Sequence, residues 1–253
     1  MTYIKVLSLA LLVAADAFVS PPSHQRRSIA VGASTVTPPS TSSSSKTEEE
    51  FIDVAKDFID NPSPDKMADD FVFRGPVIGP LCKKDYVATL TSMSAGGKAG
   101  FDSAFPDLQS DVFGFTVDPI EPNRVWYFVR SNGTFTGPFD SPTAGRLEPT
   151  GAKYISPPEA RSILIDNEGK VKYQSVGYSM DRFTGDTTNG KAAVFGLYEV
   201  MGQPLDDTIG SWKMVALQWL TSVLPDSLEI PKSYSKKEDL PSWWTDDRMG
   251  AQK

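Results

Sequence analysis

The sequence has very little histidine and cysteine, with one of each in 253 residues. A single thiol cannot form an internal disulfide or supply the ligands of a multi-cysteine zinc or iron–sulfur site. The one histidine, His24, lies in an N-terminal stretch that we predict is removed. The mature chain would then lack imidazole, which excludes Ser-His-Asp and Cys-His nucleophile pairs and histidine-bound metals. We therefore predict no metal site and no cofactor.

The first 45 residues also lack the patterns of a folded domain. Lys5 precedes an apolar run of about ten residues, too short for a bilayer span of roughly 20, and Ala15-Asp16-Ala17 fits a signal-peptidase site. Residues 18–45 contain no Asp or Glu but are basic and rich in Ser, Thr and Pro, a composition that stays unfolded and is typical of a plastid transit peptide. We predict a signal peptide at 1–17 and a disordered transit peptide at 18–45.

A signal peptide directly followed by a transit peptide, with Phe18 at the junction, resembles the bipartite presequence of algae with complex red-derived plastids, such as diatoms. The resemblance implies delivery to the plastid stroma. The thylakoid lumen and simple secretion remain alternatives. We predict no transmembrane segment in the mature chain.

The charge balance of the mature chain excludes one class of partner. Without residues 1–45 it carries 22 basic and 31 acidic residues, a net charge of -9, and no basic stripe is visible. Binding to nucleic acid depends on such a stripe to release counterions. We therefore predict no nucleic-acid partner.

The remaining sequence places helices before strands. Thr47 followed by three glutamates predicts a capped helix start, and apolar residues spaced at three and four up to residue 59 predict an amphipathic helix that ends before Pro62. A second helix is predicted from near Lys83. Strand-like runs follow at Leu108–Thr116, Arg124–Phe135, Lys153–Asp166 and Lys170–Met180. This order predicts an α+β fold with helices on one face of a curved antiparallel sheet.

Four short segments in this region occur in a recognisable order: residues 104–108 (AFPDL), 133–137 (GTFTG), 149–151 (PTG) and 167–171 (NEGKV). They resemble the SnoaL-like polyketide cyclases of the nuclear-transport-factor-2-like (NTF2-like) superfamily, and the resemblance covers about residues 47–205. It implies a cone of helices against a strongly bent sheet, enclosing a mostly apolar pocket and often forming a homodimer through the outer sheet face. Because such proteins include cyclases, isomerases, dehydratases, epoxide hydrolases and non-catalytic binders, the fold does not fix the function.

Two departures from the family pattern concern catalysis. Phe135 stands where SnoaL-like enzymes commonly have histidine, so an aromatic ring would face the substrate. The family's aspartate base would fall at Ser179, and the nearest acid is Asp181. Because strand residues alternate between faces, an offset of two keeps Asp181 on the same side, about 7 Å further along. Asp181 is our candidate catalytic base; a solvated strand end is the alternative.

A catalytic carboxylate needs an apolar cavity and hydrogen-bond donors aimed at the developing oxyanion. Without histidine, donors and ligand contacts would come from aromatic, hydroxyl or guanidinium groups. Core packing is the alternative explanation for each aromatic residue. Our candidate ligand-binding residues are Arg74, Tyr86, Trp126, Tyr127, Arg130, Phe135 and Tyr178.

Two later segments are candidates for ligand or partner contacts. We predict one domain over residues 46–205, within which residues 177–204 form a polar loop and an apolar helix that either cap the mouth of the cone or finish its core. Residues 206–253 form a C-terminal tryptophan-rich extension. It either packs on its own domain or docks on a plastid protein complex or a thylakoid surface. Its tryptophans are Trp212, Trp219, Trp243 and Trp244.

Three functions remain open. The first, which the altered catalytic positions favour, is binding of a small apolar metabolite or an accessory role. The second is a cofactor-independent isomerase, cyclase or dehydratase that uses a carboxylate base. The third is an assembly or scaffold protein that docks through its tail.

Overall fold

The computed structural model describes residues 46–94, 99–141, 144–206, 208, 211–223 and 232–246. The predicted signal and transit peptides lie outside the described residues. Among these residues the α-helices have the bounds α1 Glu48–Asp60, α2 Lys83–Ser94, α3 Phe101–Ala104, α4 Ala193–Val200, α5 Trp212–Val223 and α6 Ser242–Thr245. The described strands have the bounds β1 Met67–Arg74, β2 Leu81–Cys82, β3 Gln109–Val117, β4 Arg124–Thr134, β5 Phe139–Ser141, β6 Gly145–Leu147, β7 Lys153–Ile155, β8 Glu159–Ile165 and β9 Val171–Ser179.

Helix α1 begins where the sequence predicts. The Glu50 backbone N–H donates to Thr47 Oγ1 at 3.2 Å, and the Thr47 backbone N–H donates to Glu50 Oε2 at 2.6 Å. This reciprocal pair is a capping box, which satisfies amide groups that the first turn leaves without partners. The helix then turns Ala55, Phe58 and Ile59 into the core. The predicted second helix is also present, as α2.

The main sheet has seven described strands: six lie in the order β2-β1-β9-β8-β4-β3, and the seventh, β7, pairs with β4. All neighbours are antiparallel except β1 and β9, which are parallel. The run predicted over Lys153–Asp166 is two strands, β7 and β8, divided at Pro157 and Pro158, because proline has no N–H to donate to a ladder. The predicted α+β class, with helices packed on a curved sheet and a helical C-terminal extension, is confirmed.

The inner face of the sheet and helices α1 and α2 share the inner core. Its members are buried and come from both layers; they include Phe58, Phe71, Tyr86, Tyr127 and Ile163. A second core cluster lies under α4 and joins Phe101, Phe105, Phe135, Phe139, Tyr154, Leu197, Tyr198 and Met201. Helix α4 therefore covers this second core cluster, which lies beside the inner core.

The C-terminal extension returns to the domain along β2. The Gly79 backbone N–H donates to the carbonyl of Ser233 at 2.6 Å, and the Ser235 N–H donates to the carbonyl of Pro80 at 2.8 Å. The Ser235 hydroxyl, itself buried, donates to the Asp85 carboxylate at 2.6 Å, and Lys232 lies 3.0 Å from the same carboxylate. These contacts fix residues 232–235 on the domain.

After residues 232–235, α6 lies on the outer face of the sheet. Trp244 is buried and stacks on Tyr173 at 5.6 Å between ring centroids, in a cluster with Val72 and Leu164. Trp243 donates from Nε1 to the carbonyl of Asp70 at 3.0 Å. The predicted homodimer through the outer face remains a prediction, and the part of that face over β1, β9 and β8 is covered by the chain's own tail.

Candidate functional site

A pocket of about 200 Å³ lies between the end of β9, the turn after β1 and the segment that leads into α4. It is smaller than the roughly 300–1,000 Å³ of sites for drug-sized ligands, so it suits a small molecule or one end of a larger one. Its lining is apolar and basic. The lining residues are Pro76, Val77, Gly177, Tyr178, Ser179, Arg182, Gly190, Lys191, Ala192 and Phe195.

The turn of residues 75–79 forms one wall. The Gly75 N–H donates to the carbonyl of Ile78 at 2.7 Å. The guanidinium of Arg74, half-buried, donates from Nη1 to the carbonyls of Ile78, at 3.2 Å, and Gly79. Gln218 Nε2, on α5, donates to the carbonyl of Val77 at 2.7 Å. The wall is therefore held from both sides, by Arg74 and by the extension.

The end of β9 forms the floor, and a bulge shapes it. Ala160 pairs with Tyr178 whereas Ser162 pairs with Ser175, so β9 carries one residue more than β8 over this step. Gly177 lies within the bulge at φ +85°, in the left-handed region that glycine adopts without steric cost. The bulge changes the direction of the last strand residues and places Tyr178 and Ser179 at the pocket.

A buried ion pair supports the floor from inside. The side chains of Glu159 and Arg161 are each 3% exposed, and Arg161 Nε donates to Glu159 Oε1. The same carboxylate oxygen accepts the Gly177 N–H at 2.7 Å. The pair therefore satisfies a backbone group that the bulge removes from the regular ladder.

The third wall is the cap, which we define as residues 181–200. Its loop is ordered by its own acidic residues, since Asp186 Oδ1 accepts from the backbone of Thr188 at 2.7 Å and of Gly190 at 3.1 Å. Lys191 pairs with Glu199 of α4 at 2.8 Å and donates to the carbonyl of Leu205 at 3.0 Å. The predicted polar loop and helix are thus present, and they both cap the pocket and complete the second core cluster.

Two residues with hydroxyl groups, Tyr178 and Ser179, line the pocket. The Oγ atom of Ser179 is buried and has no hydrogen-bond partner among the described residues. Burial raises the pKa of the Tyr178 phenol, and the nearby charge of Arg74 offsets part of this increase. The phenol is therefore protonated at neutral pH, since its ordinary pKa is already near 10. Because Tyr178 is 39% exposed, its hydroxyl is available to donate a hydrogen bond to a ligand.

No protein-family profile matches the chain, and no curated protein matches it. The chain is similar to several solved structures. A protein described as a SnoaL-like polyketide cyclase, from Jannaschia sp. CCS1, is 16% identical with a TM-score of 0.38, over 54% of this chain and 90% of that one. RV0760c from Mycobacterium tuberculosis is 11% identical with a TM-score of 0.34, over 54% of this chain and 96% of that one.

RV0760c has also been solved in complex with estradiol-17beta-hemisuccinate; that structure is 12% identical with a TM-score of 0.28, over 52% of this chain and 89% of that one. A protein described as a SnoaL-like polyketide cyclase is thus among the structures that this chain is similar to. Each likeness covers about half of the chain.

The predicted base does not lie in a cavity. Strand β9 ends at Ser179, so the alternation of strand faces does not extend to Asp181. Asp181 is exposed, and its carboxylate accepts hydrogen bonds from the side chain of Thr184 and the backbone of Phe183, which lower its pKa. A general base needs the opposite environment, one that raises the pKa toward neutrality. The expectation that Asp181 faces an apolar pocket is therefore corrected.

Three predicted ligand contacts belong to the core. Phe135 is fully buried and stacks with Phe105 at 5.5 Å, so the position corresponding to the family's histidine faces the second core cluster. Tyr86 stacks on Phe73 at 4.7 Å and donates to Gln174 Oε1 at 3.2 Å. Tyr127 is buried in the inner core. All three side chains therefore agree with the alternative explanation, core packing.

Two more predicted contacts lie away from the pocket. Trp126 donates from Nε1 to Asp118 Oδ2 at 2.7 Å, on the face of β4 opposite to Tyr127. Arg130 is exposed on the same strand. Of the predicted ligand-binding residues, Tyr178 lines the pocket and Arg74 builds its wall.

Most of the individual pocket residues were not predicted from the sequence. The predicted cap at residues 177–204 covers Ser179, Lys191 and Phe195 as a segment, without naming them as contacts. Pro76 and Val77 were not predicted as contacts, and the sequence does not indicate that they lie beside residues about 100 positions later. That contact depends on the parallel pairing of β1 with β9, for which the sequence gives no signal.

Among the described residues, no group of three or more His, Cys, Asp and Glu residues is arranged to hold a metal ion. No described helix is both long and apolar enough to cross a bilayer.

Proposed function

We propose that this chain is a SnoaL-like protein that binds a small, largely apolar molecule in the pocket under the cap. The observation that carries the proposal is the pocket itself, which has apolar walls and the accessible, protonated phenol of Tyr178 at its floor.

The lining favours binding over catalysis. None of the ten described lining residues is a carboxylate, and the predicted base, Asp181, is exposed. Glu159 lies behind the floor but is paired with Arg161 and with the Gly177 N–H. A carboxylate-base isomerase or cyclase therefore has no base in the described wall of this pocket.

Native mass spectrometry of the protein purified from its source cell tests the proposal. We expect a bound small molecule on the wild-type chain. The substitution Ala192→Leu adds volume inside the pocket, at a buried residue, and should remove the bound mass. Ala88→Leu, the same change at an exposed site on α2, should keep it.

A bare wild-type chain would contradict the proposal. So would an Ala192→Leu variant that carries the same ligand in the same amount. Because overpacking also destabilises cores, the unfolding midpoint of each variant is measured alongside, and the comparison uses variants that are folded.

One observation favours a second candidate function, docking on a partner protein. On α5, Trp212, Val215 and Trp219 are 75%, 54% and 61% exposed and recur at helical spacing. Large exposed apolar side chains in a contiguous stripe are typical of interaction surfaces. Trp243 and Trp244, which we also predicted for docking, are instead packed on the chain's own sheet.

We also propose that the mature protein acts in the plastid stroma, with the domain beginning near residue 46. The support is the acid-free, Ser-rich and basic composition of residues 18–45 after a short apolar signal.

A further inference from the structure

We propose that Asn132 is a site of N-linked glycosylation, at which an oligosaccharide is attached while the chain passes through the lumen of the endoplasmic reticulum. The proposal rests on the proposed targeting, because the signal peptide predicted at residues 1–17 would bring the chain into that lumen. The site is separate from both the cap pocket and the exposed stripe on α5.

The acceptor motif for this modification occurs once in the chain. Residues 132–134 (NGT) have the form Asn-X-Ser/Thr, in which X is any residue except proline. Residues 61–63 (NPS) have proline at the middle position, which excludes them. The other three asparagines have neither serine nor threonine two positions later. One glycan per chain is therefore expected.

The structure places the Asn132 side chain toward solvent. Tyr127 and Val129 of β4 point into the inner core, and the alternation along the strand puts Asn132 on the opposite, outer face. Asn132 is exposed, and so is its partner on β3, Gln109; its partner on β7, Ile155, is 37% exposed. A glycan on the Asn132 amide would thus extend away from the core and is compatible with the fold.

The folded chain holds the rest of the motif inside the sheet. The Thr134 backbone N–H and hydroxyl both donate to the Asp107 carboxylate, at 2.7 and 2.8 Å. A Cβ atom at Gly133 would lie 3.2 Å from Leu108 Cα, so the backbone there is closely packed. The transferring enzyme has to bind the three residues of the motif as a free segment. Attachment therefore precedes the folding of β4.

The transfer is a substitution at a sugar carbon. The Asn132 side-chain nitrogen forms a bond to C1 of an oligosaccharide that is carried on a lipid pyrophosphate. The bond between C1 and the phosphate oxygen breaks, the nitrogen loses one proton, and the lipid pyrophosphate leaves. No oxidant or reductant is needed. The enzyme and the sugar donor belong to the endoplasmic reticulum, and this chain supplies the asparagine and the threonine hydroxyl.

Translation of the full chain in the presence of endoplasmic-reticulum microsomes tests the site. We expect the wild-type chain to be protected from added protease and to carry one glycan, seen as one step of lower gel mobility that peptide N-glycosidase reverses. This glycosidase leaves an aspartate in place of the modified asparagine. Mass spectrometry of the peptide that contains residue 132 therefore locates the glycan.

Three variants define the motif. Asn132→Gln should abolish the glycan, and so should Thr134→Val, which keeps the asparagine but removes the hydroxyl. Thr134→Ser keeps the hydroxyl and should keep the glycan. Because Asn132 is exposed, Asn132→Gln should leave the unfolding midpoint of the bare chain unchanged. A glycan that persists in Asn132→Gln would overturn the assignment to this residue.

Pro62→Ala is a matched gain of a second site, because it converts residues 61–63 into an acceptor motif. This variant should carry two glycans. A wild-type chain that is protected from protease but bare would overturn Asn132 as a site and keep the proposed targeting; one glycan on Pro62→Ala would then show that the enzyme was active on the same chain. A wild-type chain that the protease digests would overturn both proposals.

The order of attachment and folding has its own measurement. A synthetic peptide of residues 129–136 and the folded, bare full chain are each incubated with purified oligosaccharyltransferase and a lipid-linked oligosaccharide. The peptide should be modified and the folded chain should not, because the sheet holds its motif. Equal modification of the two would overturn the inference that attachment precedes folding.

Discussion

Glu159 and Arg161 are separated by one residue on β8, and both lie inside the protein with 3% of their side-chain surface exposed. Taking two charges out of water costs several kcal/mol, which their attraction and further hydrogen bonds must offset. Here the Gly177 N–H adds such a bond to the Glu159 carboxylate. The pair is therefore sensitive to the loss of either partner, and it supports the pocket floor.

We predict that Arg161→Met destabilises the fold by about 3–5 kcal/mol, because Glu159 would remain as an uncompensated buried charge. The double variant Glu159→Gln with Arg161→Met should recover part of this loss. Lys66→Met removes an ion pair of similar length, 2.8 Å to Asp57, but on the surface, and should cost about 1 kcal/mol or less. Urea unfolding measures all three, and equal losses for Arg161→Met and Lys66→Met would contradict the prediction.

Single residues were the hardest feature to predict from the sequence. The position of the family's aspartate base falls at Ser179, near the candidate Asp181. This position indicates the end of β9 as the site, and Ser179 does line the pocket. The alternation argument for Asp181 was wrong because the strand stops at Ser179 and the chain enters a turn. Phe135 was predicted at the ligand because it stands where the family has histidine, but its side chain is fully buried in the second core cluster with residues of α4.

Among the elements, the C-terminal extension does two different things. Helix α6 buries Trp244 on Tyr173 and Leu164, whereas α5 leaves Trp212 and Trp219 mostly exposed. Both segments are tryptophan-rich in the sequence. Packing on the chain's own domain, one of the two alternatives, describes α6, whereas docking through α5 stays a prediction.

We predict that Trp244→Ala lowers the free energy of unfolding by about 3–5 kcal/mol, the usual cost of truncating a buried aromatic side chain to alanine. The double variant Trp212→Ala with Trp219→Ala should change it by about 0.5 kcal/mol or less per site, because these side chains are exposed. Chemical denaturation followed by far-ultraviolet circular dichroism gives both values. A stable Trp244→Ala variant would show that the outer-face contact does not hold the tail.

The same double variant addresses the docking candidate. It is expected to fold normally and to lose co-migration with any larger complex on a native gel of a source-cell lysate. Unchanged co-migration would remove α5 as the docking surface. Trp244→Phe, which keeps an aromatic ring in the outer-face cluster, is the matched control for tryptophan loss.

Element positions followed well from local patterns. The capping box at Thr47, the break before Pro62 and the strand-like runs of β3, β4, β8 and β9 are decided by near neighbours in the chain, and these elements lie where the sequence predicts. The parallel pairing of β1 with β9 joins residues about 100 positions apart, and the packing of α6 on the sheet joins residues about 170 positions apart. Local periodicity contains no information on such pairings, so neither could be predicted.

At the scale of the whole molecule, the outer sheet face connects the extension to oligomerisation. Residues 232–246 occupy it over β1, β9 and β8, whereas the strands β3 and β4 keep Phe113 45% exposed. A homodimer that used the whole outer face would have to displace α6. One that used β3 and β4 would not.

The proposed plastid targeting depends on a different part of the chain, residues 1–45. These residues hold three of the basic residues, and their removal would take the net charge from -7 to -9. A fusion protein can test whether they carry the targeting information.

We predict that residues 1–45 are sufficient to carry a fluorescent protein into the plastid of a diatom. The apolar run after Lys5 would direct entry into the secretory route, and the acid-free segment that follows would then direct plastid import. A fusion of residues 1–17 alone should be secreted, because it lacks the second signal. Phe18→Ala in the full 1–45 fusion should stop import at the plastid boundary without blocking entry into the secretory route, since it leaves the apolar run intact. Secretion of the unaltered 1–45 fusion into the medium would contradict the plastid assignment, and fluorescence microscopy with chlorophyll autofluorescence as the plastid marker distinguishes these outcomes.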